Sequence, residues 1–127
     1  MSQVVLCIDD DQMILDFLET ALTGYGYRVL SAFNGKEGLV KAVEQQPDLI
    51  LLDIMMPDMD GWEVCQILKN NEETQKIPVI MVTARDTVYD KIKGLKKGAM
   101  GYVTKPFNVK ELLEEVRICL KRAEEEE

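Results

Sequence analysis

Short apolar runs alternate along the chain with longer stretches in which apolar positions return every three or four residues, and the alternation occurs five times. The runs lie at residues 4–8, 27–31, 49–52, 79–82 and 101–103. Those at 4–8, 49–52 and 79–82 are almost unbroken, the pattern of central parallel strands covered on both faces. The other two mix polar with apolar residues, as edge strands do. Between the runs, Ile14, Leu18 and Leu22 recur at helical spacing, as do Leu39, Ala42 and Val43. Trp62, Cys65 and Leu68 follow, then Val88, Ile92 and Leu95, and finally Val109, Leu112, Leu113, Val116 and Leu120. Each set predicts a helix with an apolar stripe turned to a core. Gly24 and Gly26 close the first helix, Asn34-Gly35 opens the second and Gly98 ends the fourth. An alternating (βα)5 chain with short connections predicts an α/β fold, a parallel sheet between two helical layers. Chain order alone leaves the strand order open.

Composition narrows the picture. The 127 residues suit one domain, with no repeat, low-complexity linker or second unit. An apolar content of 46% with 30% charged residues belongs to a soluble globular protein. No apolar run approaches the ~20 residues of a membrane span, and nothing at the N-terminus resembles a signal peptide, so cytoplasmic residence is expected. Cys7, Cys65 and Cys119 are odd in number and far apart, which predicts small buried thiols rather than disulfides or a zinc site. The net charge of −8 argues against direct nucleic-acid binding by this domain, although residues 124–127 supply much of it. The chain contains no histidine, which excludes imidazole catalysis and phosphoryl transfer from a histidine of the same chain.

In open α/β sheets, ligands gather at the carboxyl ends of the strands. Asp9 and Asp10 follow the first run, Asp53 the third, Thr83 the fourth and Lys105 the fifth. Three carboxylates meeting at one rim oppose each other's ionisation. A hard divalent cation relieves the repulsion, and Mg2+ takes carboxylate oxygens while keeping positions for water and phosphate. Each residue has a plainer explanation on its own. Asp11 suits a helix N-cap, Asp58 and Asp60 suit the Pro-Asp-Met-Asp-Gly turn, and Asp9 and Asp10 alone are as well read as capping or solvated groups. The site is predicted from the agreement of four strand ends.

Four motifs at those ends, Asp9-Asp10, the block from Asp53 to Gly61 (DIMMPDMDG), Val82-Thr83-Ala84 and Lys105-Pro106-Phe107, resemble the response-regulator receiver domains of two-component signalling. The resemblance runs from Val4 to about Lys121. It implies a flavodoxin-like, doubly wound three-layer sandwich with strand order 2-1-3-4-5. It further implies that Asp53 is the phosphoacceptor and that Mg2+ is held by Asp9, Asp10, Asp53 and the backbone carbonyl of Met55. Lys105 and Thr83 would contact the phosphoryl group, Tyr102 would be the aromatic that changes burial on activation, and the Lys105-Pro106 bond would be cis. Met55, Met56, Ala84 and Arg85 fall at the family's variable positions. The implied partners are a sensor histidine kinase or histidine phosphotransfer protein as donor and a downstream protein target or output domain as receiver of the signal. Contact through the fourth and fifth helices and fifth strand is expected, with Lys91, Lys93, Lys96 and Lys97 either meeting an acidic partner or forming a solvated face.

The expected function is a phosphorylatable switch rather than an enzyme, with no activity beyond self-catalysed phosphoryl capture and slow autodephosphorylation. A magnesium phosphohydrolase would want an acidic residue two positions after the nucleophile, where Met55 stands. A nucleotide or flavin binder would want a glycine-rich phosphate loop, which is missing. Residues 1–122 are expected to form the receiver domain and 123–127 an acidic tail whose glutamates oppose the helix dipole and fray the last turn.

Overall fold

The computed structural model describes residues 2–126. Five strands, β1 (Val4–Ile8), β2 (Arg28–Ala32), β3 (Leu49–Leu52), β4 (Val79–Thr83) and β5 (Gly101–Thr104), alternate with five helices. The helices are α1 (Gln12–Gly24), α2 (Gly35–Gln45), α3 (Gly61–Lys69), α4 (Val88–Lys96) and α5 (Val109–Glu125). All neighbouring strands pair in parallel, in the order β2-β1-β3-β4-β5, so the mixed strands are the edges, as their composition predicts.

Strand side chains alternate between two cores. Leu6, Ile8, Ile50, Leu52, Val79 and Met81 pack with Ala42 of α2 and with Trp62, Val64, Cys65 and Leu68 of α3. Val5, Cys7, Leu49, Leu51, Ile80 and Val82 pack on the other face with Leu15, Leu18 and Leu22 of α1 and Leu112, Val116 and Leu120 of α5. Both faces of the central strands are therefore dry, which is why their sequences lack polar interruptions. The three cysteines are free and buried, and burial pushes the thiols of Cys65 and Cys119 up to about 11 and about 12.

Polar N-caps start every helix. Asp11, Asn34, Asp60, Thr87 and Asn108 each accept a bond from a backbone N–H in the first turn. Asp11 is thus the cap its position predicts, accepting from Met13 N at 2.9 Å. Two expectations need correction. The apolar row Val88, Ile92, Leu95 does not face a core; these residues are 73%, 48% and 53% exposed, and α4 buries only Asp90 and Gly94. Residues Ala123 to Glu125, expected in a frayed tail, continue α5 as helix, while Glu127 lies outside the described residues.

Candidate functional site

Backbone bonds carry the sheet one residue beyond its strands and so fix the rim. Asp9 N donates to Ala32 O at 3.1 Å, Asp53 N to Ile8 O at 3.0 Å, and Lys105 N to Thr83 O at 2.8 Å. Each chemically active side chain is thereby held at the carboxyl end of the sheet rather than on a free loop. The loop after Asp53 folds back tightly, with Gly61 N donating to Ile54 O at 2.8 Å. A Cβ at Gly61 would lie 2.4 Å from the Asp53 carbonyl oxygen, so no side chain fits there without moving Asp53.

The carboxylates of Asp9, Asp10 and Asp53 present one oxygen each within 4.8 Å of one another. Asp9 and Asp53 are buried while Asp10 is exposed, so the cluster opens to solvent on one side. Lys105 Nζ donates to Asp9 Oδ2 at 2.7 Å and to Asp53 Oδ2 at 3.0 Å. One ammonium against three carboxylates leaves an excess of two negative charges, and oxygen donors at this spacing fit a hard divalent cation. Burial is the main cause that raises the Asp9 pKa, opposed by its bonds from Lys105 and the Asp11 N–H and reinforced by the Asp53 charge. Burial depresses Lys105, but the two carboxylates outweigh it and raise its pKa overall. Met55, two residues on, donates its N–H to Asp53 Oδ1 at 3.2 Å, with its side chain exposed.

Thr83, the last residue of β4, is wholly buried, and its hydroxyl accepts a long bond from Arg85 N at 3.4 Å. Tyr102 is half-buried beneath α4, and its hydroxyl donates to Arg85 O at 2.6 Å. Burial raises its phenol to about 12. The Lys105-Pro106 peptide is cis. Asp60 caps α3, accepting from Glu63 N at 2.9 Å, while Asp58 does more than serve its own turn. It reaches across to α2 and accepts from Gly35 N and Lys36 N, both at 3.1 Å, which holds its carboxyl below the usual range.

Sequence reasoning missed a second cluster beside the rim. The Arg85 guanidinium pairs with Asp90 Oδ1 at 3.1 Å and lies 5.0 Å from the Trp62 ring centre. Lys93 Nζ sits 4.0 Å from the same ring. The signals were an aspartate at the third position of α4 and the chain's one tryptophan two residues after an aspartate cap. Neither shows what it meets in space.

A doubly wound parallel sheet with an acidic trio and a lysine at its carboxyl rim makes this an α/β domain with a candidate site for a divalent cation. The chain belongs to the response regulator receiver domain family, whose pattern it matches over residues 5–117. It is 48% identical over 120 residues to the DNA-binding dual master transcriptional regulator RpaA of Synechocystis sp., which covers 94% of this chain and 50% of that protein. It is 41% identical over 124 residues to the alkaline phosphatase synthesis transcriptional regulatory protein PhoP of Bacillus subtilis, covering 98% and 51%. The chain thus spans about half the length of these curated relatives. Among solved structures, a CheY-like receiver domain protein from Methanospirillum hungatei superposes with a TM-score of 0.93 at 33% identity over 100% of both chains. Receiver domains accept phosphoryl groups in two-component systems and interact with histidine kinases and output targets. No helix among the described residues is long and apolar enough to cross a membrane.

Proposed function

We propose that this domain captures a phosphoryl group on Asp53 and answers by changing the surface formed by α4, β5 and α5. The observation that carries this reading is the meeting of Asp9, Asp10 and Asp53 around Lys105 Nζ, 2.7 and 3.0 Å from two of the carboxylates. Mg2+, held by the three carboxylates and the Met55 carbonyl, would supply charge neutralisation for the phosphoryl oxygens. An Asp53 carboxylate oxygen attacks phosphorus as the bond to the donor breaks, and the leaving electron pair stays with the donor. The donor is a phosphohistidine of a sensor kinase or phosphotransfer protein, because this chain has no histidine. Lys105, already beside Asp53, pairs with a phosphoryl oxygen, and the Thr83 hydroxyl donates to another. Drawing Thr83 inward lets Tyr102 change its burial, which shifts an equilibrium between two packings of α4. The DNA binding named for the Synechocystis relative is that protein's property. For this domain we assign protein contacts in the cytoplasm, with a downstream protein target or an output domain.

Acetyl phosphate with Mg2+ should label wild type at Asp53, and omission of Mg2+ or the substitution Asp53→Asn should abolish labelling. Label mapped to another residue, or undiminished in Asp53→Asn, overturns the assignment.

A further inference from the structure

Trp62 lies in the first turn of α3, nine positions after Asp53, and is 8% exposed. Its ring takes two cations from a different part of the chain, Arg85 from the β4–α4 segment and Lys93 from α4 itself, at 5.0 and 4.0 Å. Tryptophan is the best aromatic acceptor for such contacts. Arg85 is also a junction for other ties in this segment. Its N–H donates to the Thr83 hydroxyl, its carbonyl accepts from Tyr102, and its guanidinium pairs with Asp90, which in turn accepts from the Thr87 hydroxyl at 2.7 Å. Meanwhile the Trp62 indole N–H is buried with no acceptor, so the ring is seated by its face and not by its polar edge.

We propose that Trp62 is a positioning residue for the phosphoryl switch. Its indole face clamps Arg85 and Lys93 and so holds residues 84–87, and Thr83 beside them, in the present arrangement. The proposal rests on Asp53 being the phosphoacceptor. Drawing the Thr83 hydroxyl toward a phosphoryl group on Asp53 would shift the adjoining backbone, and with it Arg85, whose N–H is tied to that hydroxyl, away from the ring. Clamp and phosphoryl group then pull Thr83 in opposite senses. Weakening the clamp enlarges the fraction of molecules ready to receive the ligand and tightens apparent binding by that factor.

The test titrates the full chain, in saturating Mg2+, with beryllofluoride as the phosphoryl mimic, using 19F NMR to follow the bound species. Relative to wild type, Trp62→Leu should lower the half-saturating concentration ~3–10-fold, with Trp62→Phe in between because a phenyl face holds cations less well. Arg85→Ala and Lys93→Met should each give part of that gain, and neither should add to it in a Trp62→Leu background. In wild type, the single tryptophan's emission should move on saturation, reporting loss of the cations from its face. Half-saturation within twofold of wild type while Tm falls would assign Trp62 to packing alone and overturn the proposal, as would weaker binding. Should Trp62→Leu fail to fold, Lys93→Met and the wild-type emission decide the matter on the same criteria. A wild type that never binds beryllofluoride overturns the phosphoacceptor assignment and this one together.

Discussion

Helices α4 and α5 flank the same edge strand, yet they are attached to the domain in different ways. α5 buries Leu112, Val116, Cys119 and Leu120 in a continuous apolar core. α4 leaves its own apolar row in solvent and buries an aspartate and a glycine. What holds it is directional: the Thr87 cap, the Arg85–Asp90 pair, Lys93 on the Trp62 ring, Lys97 Nζ donating to Gln66 at 3.2 Å, and Tyr102 packed where Gly94 leaves room. Apolar burial is non-directional, and its close packing makes any loss felt across the core. Polar ties are individually modest and depend on geometry, so they can be exchanged one by one. The lesson is that α4, beside the carboxylate rim, is fastened by contacts that rearrangement can replace, while its neighbour is not.

Three measurements would break or sharpen that contrast. The largest effect is expected from truncating the two faces. Leu112→Ala should cost about 2–5 kcal/mol in denaturant unfolding, whereas Leu95→Ala should stay within about 0.5 kcal/mol. Equal costs would mean that α4 is packed like α5 after all. Next, native-state hydrogen exchange should show α4 amides at least ~10-fold less protected than the central amides of α5, because few buried contacts resist local opening. The smallest effect concerns pH. The Thr87 hydroxyl first, and Arg85 second, hold the Asp90 carboxyl below its ordinary pKa. A carboxylate with a depressed folded value stabilises the folded state above its unfolded pKa and loses that contribution as pH falls through the folded one. Protection of α4 should therefore drop below about pH 4 before that of α5, and Asp90→Asn should remove the difference. If both helices loosen together, the ties of α4 are not electrostatic.

Much of this architecture was legible before any coordinates. The dry central strands, the mixed edges and the five helices follow from periodicity, because burial on one face or two leaves a direct imprint on residue choice. The rim was legible as well, since Asp9, Asp10, Asp53, Thr83 and Lys105 each stand at a strand end and parallel strands bring those ends together. Periodicity failed at α4. Val88, Ile92 and Leu95 have the spacing of a core stripe, but spacing records amphipathicity, not which side is covered. Turn chemistry was incomplete at Asp58, whose bonds to Gly35 and Lys36 span 23 and 22 positions and lie outside any local rule. The clamp on Trp62 was hidden for the same reason: stacking between α3 and α4 depends on where two helices lie, and no pairwise spacing encodes it.

The Lys105 ammonium has a wider consequence. Its partners, Asp9 and Asp53, stand 96 and 52 positions earlier in the chain, on strands separated from its own by β4. β1, β3, β4 and β5 must all be in place before these charges meet, so a nascent or half-assembled polypeptide has no complete rim. The charged rim is thereby a product of completed folding: a chain still emerging from the ribosome, or one being dismantled, does not assemble it.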